Sequence, residues 1–134
     1  MSGFATYLEN KVLDYVFGNT AFTPASPLYI GLSSTNILDD GSGITEPSGG
    51  SYARVGVANN TNAWANASGG VKTNGTPIGF PTSTGSWGGV NYFFASDAPS
   101  GGNIYVKGSV SPAQTISTSQ KLTFQIGDMS ITLA

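Results

Sequence analysis

The sequence predicts a mainly β protein: a single β-sandwich, jelly-roll or immunoglobulin-like, preceded by one N-terminal α-helix. Past residue 27 the apolar residues stop recurring at helical spacing and begin to alternate, as they do in half-buried strands. Short runs of this kind follow to the C-terminus, seven or eight of them. Clusters of Gly, Pro, Asn, Asp and Ser separate them at regular intervals, as turns separate the strands of a sandwich. A chain of 134 residues fits one domain, with the helix over about residues 4–18 and the sandwich over about 27–134.

The helix is read from Phe4, Leu8, Val12, Tyr15 and Val16, which recur at helical spacing. Thr6 and Glu9 fit a capping box, and Gly18-Asn19 supplies a left-handed stop. Tyr7, Leu13 and Phe17 widen the apolar stripe beyond one small contact. Packing on the protein's own sheet explains most of that stripe, and the excess allows partial docking on a neighbouring subunit.

The first strand is Leu28, Ile30 and Leu32 alternating with Tyr29 and Gly31. Residues 36–50 form a loop, in which D-D-G-S-G lacks the alternating oxygen ligands and closing Glu of a calcium loop and is a solvated turn. A strand over residues 52–57 places Ala53, Val55 and Val57 on one face, with Tyr52 and Arg54 on the other, toward solvent or a partner. Arg54 is the chain's single arginine, and its planar fork suits one fixed carboxylate, within the subunit or across an interface, better than catalysis. Residues 59–75 are polar and small around Trp64, which is either an exposed interface anchor or a plug laid back on the sandwich. Asn59, Asn66 and Asn74 begin glycosylation-like triplets, read here as accidents of composition.

Residues 78–97, I-G-F-P-T-S-T-G-S-W-G-G-V-N-Y-F-F-A-S-D, are the densest aromatic stretch, and the chain is organised around them. Residues 90–95 have the content of a central strand covered on both faces, and Pro81 ends the strand before it near Phe80. Gly85, Gly88 and Gly89 let Trp87 turn over the sheet as an aromatic plug, a reading preferred to a sugar-stacking platform. Further strands are expected at Ile104–Val110, with a short polar one ending at Ile116, and then at 122–126 and 129–133, the last two as a hairpin through Gly127-Asp128. Phe80, Trp87, Tyr92, Phe94, Leu122, Phe124 and Ile131 are expected to share one core.

Composition excludes much chemistry. There is no histidine and no cysteine, so the commonest neutral-pH base and metal ligand and every thiolate site are missing. The seven acids show no paired spacing, and no glycine-rich loop lies between strand and helix. No enzyme activity, cofactor or metal site is expected. Five basic residues and a net charge of −2 offer no footprint for nucleic acid. No apolar run approaches the roughly 18 residues of a membrane span, and Glu9, Asn10, Lys11 and Asp14 break any signal-peptide pattern, so synthesis in the host cytoplasm is expected.

Four blocks, in order, cover nearly the whole chain: S-G-F-A-T-Y-L-E-N-K-V-L-D-Y-V-F-G-N-T-A-F with L-Y-I-G-L-S; D-D-G-S-G-I-T-E-P-S-G-G-S-Y-A-R-V-G-V-A-N-N; G-F-P-T-S-T-G-S-W-G-G-V; and G-N-I-Y-V-K-G with L-T-F-Q-I-G-D-M-S-I-T-L. Together they resemble a family of small tailed-bacteriophage virion proteins catalogued as phage tail fibre proteins. The resemblance implies a structural virion protein. Similar small sandwiches are capsid cement or decoration proteins, which implies a homotrimer bound to the major capsid protein on the head surface and stabilising the shell. The alternative is a tail-associated, receptor-binding module recognising a host glycan. Neither a collagen-like nor a coiled-coil repeat is present to make a fibre shaft. Candidate interface residues are Phe4, Tyr7, Tyr52, Arg54 and Trp64, on the N-terminal helix, the strand at 52–57 and the loop 59–75; loop 36–50 is a further candidate contact surface.

Overall fold

The structure, a computed structural model, describes residues 2–133. Its elements are β1 (Gly3–Phe4), α1 (Thr6–Val16), β2 (Leu28–Ser33), β3 (Val55–Val57), β4 (Lys72–Thr73), β5 (Ile78–Gly79), β6 (Gly88–Ser96), β7 (Ile104–Ile116), β8 (Thr123–Phe124) and β9 (Ser130–Ile131). β1, β7, β6, β2 and β3 form an antiparallel sheet in that spatial order. Two short ribbons, β4 with β9 and β5 with β8, supply strands to the layer opposite it. The fold is thus mainly β with one N-terminal helix, as the alternation implies, and its second layer is assembled from ribbons and loops.

β6 is the centre of the sheet, covered on both faces as its apolar content predicts. Val90, Phe93 and Ala95 enter the main core with Ile30, Leu32, Phe80, Trp87 and Phe124. Phe94 joins a second cluster with Ala5, Ile37 and Ile104, against which Tyr92 and Ile44 pack. The single core expected of seven residues is therefore divided, with Tyr92 and Phe94 on the far face under loop 36–50. Side chains alternate along a strand, and a register shift between Val90 and Tyr92 resets that alternation midway.

Each phenylalanine of β6 lies over a glycine on a neighbouring strand. Phe93 pairs with Gly108 and Phe94 with Gly31. A Cβ at Gly108 would stand 2.6 Å from Phe93 ring carbons, and one at Gly31 only 2.3 Å from Phe94 Cζ. A glycine on either side gives both rings room to cover the sheet.

Several local expectations change. The helix begins one residue from the expected cap: Ala5 is the N-cap and makes no side-chain cap hydrogen bond. The Thr6 N–H instead donates to the Asp39 carbonyl (2.7 Å), so a tertiary contact does the work expected of a capping box. Phe4 belongs to β1 rather than to the helix. The expected C-terminal stop is present, with Gly18 at φ 131° and Asn19 at φ 54°.

The closing hairpin is not formed, although the turn is. Asp128 N–H donates to the Gln125 carbonyl (2.9 Å). The strands on either side then part, β8 pairing with β5 and β9 with β4. Asn74, fully buried, links the two ribbons. Its Nδ2 donates to the Thr76 and Gln125 carbonyls (2.9 Å each), and its Oδ1 accepts from Met129 N–H (3.0 Å). β7 also runs past the expected end at Val110, and Pro112 sits where it bulges away from β6, so its missing N–H costs no ladder bond.

Candidate interaction surface

Arg54 precedes β3, and its side chain turns inward, only 5% exposed. Nε donates to Glu46 Oε1 (3.0 Å) and Nη2 to Glu46 Oε2 (2.9 Å). Nη1 donates to the carbonyls of Ala98 and Gly101, both at 2.9 Å. The guanidinium carbon lies 4.8 Å from the centre of the Phe94 ring. One arginine thus fastens loop 36–50 and the turn 97–102 over the second cluster. The salt bridge that the sequence left open between subunit and partner is within the chain, and Arg54 does not face solvent.

Tyr52 belongs to the same network. Its hydroxyl donates to Glu46 Oε1 (2.7 Å) and accepts from Leu32 N–H (3.0 Å), while its ring packs edge-on to Trp87 at 5.4 Å between centres. Burial alone would raise the Glu46 carboxyl, but the hydrogen bonds from Arg54 and Tyr52 and the Arg54 charge outweigh it and hold the group below its ordinary value. Burial, then the hydrogen bond and charge of Glu46, push the Tyr52 hydroxyl well up, so it remains a donor.

Trp64 is a core residue, 4% exposed, which resolves its alternatives in favour of the plug. Its indole N–H is buried without a hydrogen-bond partner among the described residues. Phe4 and Tyr7 are half-buried. Tyr7 stacks on Tyr105 with ring centres 5.7 Å apart, and Lys11 Nζ stands 5.5 Å over the Tyr7 ring. Of the five residues named as candidate interface, Arg54 and Trp64 are therefore interior, and the other three are only partly open.

A run of exposed apolar side chains lies further along the helix. Only Leu8 of α1 is buried. Leu13, Tyr15, Val16 and Phe17 stand out, Phe17 at 78% exposure. The widened stripe of the sequence marked Leu13 and Phe17, though not which side would be left open. Beside the start of the same helix is an almost wholly apolar cleft of about 410 Å³, whose walls include Phe4, Leu8, Trp64, Val71 and Tyr105. Lys72 lies at this cleft and forms no ion pair among the described residues, where the pairs are Arg54–Glu46 and Lys107–Asp39.

The acidic turn at 39–43 closes on itself. Asp40 Oδ1 accepts from the Ser42 N–H (2.9 Å) and hydroxyl (2.6 Å), and these bonds lower its carboxyl below the ordinary value. Among the described residues no three acidic side chains gather as a metal site would require, and no helix is long and apolar enough to cross a membrane.

The described surface thus combines polar side chains that fasten loops with an apolar cleft and an apolar helix end. The family described as Podophage GP4 fiber I protein gp80 matches residues 3–132 of the chain. The chain belongs to that family and is a structural protein of the bacteriophage virion. None of the curated protein sequences matches it.

Proposed function

We propose that the protein serves in the tail of the particle, as a small module of a fibre or of its attachment, acting by binding and without catalysis. The observation that carries this reading is the almost end-to-end match to a family whose description is that of a fibre protein. Its partners are further copies of itself and adjoining virion proteins, with neither nucleic acid nor membrane among them. The internal use of Arg54 supports this, since it removes the one guanidinium from any phosphate-binding surface.

The capsid cement reading, with a trimer on the head surface bound to the major capsid protein, stands second. It is favoured by the compact fold without a shaft and by a charged fraction of only 9%, which suits broad permanent contacts. Particles lacking the protein separate the two. The tail reading expects normal head stability to heat and chelation with impaired adsorption to host cells. Normal adsorption with early DNA release would establish the cement role instead.

A further inference from the structure

The exposed helix end and the apolar cleft lie on the same chain, and neither fills the other: the cleft's walls take in Phe4 and Leu8 but none of residues 13–17. We propose that the end of α1 in one copy docks into the cleft of the next, with Phe17 and Val16 as the inserted side chains. This goes beyond the location of the protein in the particle and holds for tail or head alike.

Three features favour a second copy as the occupant. The first is apolar complementarity. Leu13, Tyr15, Val16 and Phe17 are 54–78% exposed on one short segment, an unusual cost in water for a chain with many Ser, Thr and Asn residues available. The cleft offers an apolar volume of about 410 Å³ to receive them. The second is charge. Asp14 lies on the exposed segment, and the helix's last turn carries no basic residue to offset the negative end of its dipole. Lys72 at the cleft has no ion-pair partner among the described residues and can face both. The third is size. Burying the four side chains would hide on the order of 1,000 Å² over both partners, the low edge of specific interfaces. Each contact is then weak alone and becomes strong by repetition.

The two surfaces differ, so the contact is head-to-tail. Such contacts close into a ring when the rotation allows and otherwise extend as a filament.

Sedimentation of the full chain over a range of concentrations tests this. The wild type should show concentration-dependent association. Phe17→Ser removes the knob and Ala67→Trp, on the exposed cleft wall, fills the socket; each alone should sediment as a monomer while keeping the wild-type circular dichroism. Mixed together they should form a heterodimer and nothing larger, because one supplies an intact cleft and the other an intact helix end. Asp14→Lys should weaken association by about two- to five-fold. If Ala67→Trp does not fold, Val71→Glu replaces it as the cleft variant. A wild type that stays monomeric at millimolar concentration, single variants that associate as the wild type does, or a mixture that forms no heterodimer would each overturn the proposal.

Discussion

Phe94 fills the space above Gly31, its cross-strand partner: a Cβ at Gly31 would fall 2.3 Å from Phe94 Cζ, and the Arg54 guanidinium carbon lies over the ring 4.8 Å from its centre. The ring therefore packs against both a bare backbone and a guanidinium. Alanine at Gly31 would gain about 0.5–1 kcal/mol from reduced unfolded-state freedom, but overpacking costs about 1–3 kcal/mol. The steric effect wins because a fully buried ring cannot move aside. Gly31→Ala should destabilise the protein in urea denaturation, and much of the loss should vanish in a Phe94→Leu background. Phe94→Ala alone should cost about 3–5 kcal/mol.

Arg54 and Glu46 should behave as a coupled pair. Removing Arg54 leaves a partly buried carboxylate and two carbonyls without their donor, a loss of about 3–5 kcal/mol. Replacing both residues with apolar ones, Arg54→Met with Glu46→Leu, should cost clearly less than the sum of the single changes. A double-mutant cycle by chemical denaturation measures this, and strict additivity would show that the two act separately.

Acid should loosen the same corner. The Glu46 carboxyl lies below its ordinary value of 4.5 in the folded state, so in the window between the two values the unfolded chain binds the extra proton. Its stabilisation is complete above the unfolded value and is lost as pH falls through the folded one. The melting temperature should drop as pH falls below about 4.5, and Glu46→Gln should flatten part of that slope while lowering stability at neutral pH.

Asn74 joins the ribbons through a buried amide, and Asp cannot replace it. A carboxylate keeps the shape but loses the donor to the Thr76 and Gln125 carbonyls. Asn74→Asp should cost at least about 1–3 kcal/mol at neutral pH, and the loss should shrink in acid as the carboxyl protonates. Equal destabilisation at all pH values would contradict this account of the site.

The fold class was legible because alternation and turn residues survive in nearly every segment. Residues 90–95 showed their double burial directly, having almost no polar face. The pairing of β8 and β9 was not legible: the Gly127-Asp128 turn is real, but a local turn does not choose a strand's partner, and Asn74, some fifty residues away, does. Alternation with apolar neighbours points Arg54 outward, whereas Glu46 and two carbonyls make the inward orientation favourable. Trp64 is an isolated indole in a polar loop, with no periodicity to place it. The exposed helix end left a trace in the overly wide stripe, but only the packing of Leu8 on the sheet shows which residues remain outside.

The most direct test of the functional account is to locate the protein in the intact particle, by density in a reconstruction of the whole virion or by gold-labelled antibody. Copies should be confined to the tail, with one copy's helix end lying against the next copy's cleft. Copies spread in a regular lattice over the head, with none on the tail, would contradict it and establish the protein as capsid cement.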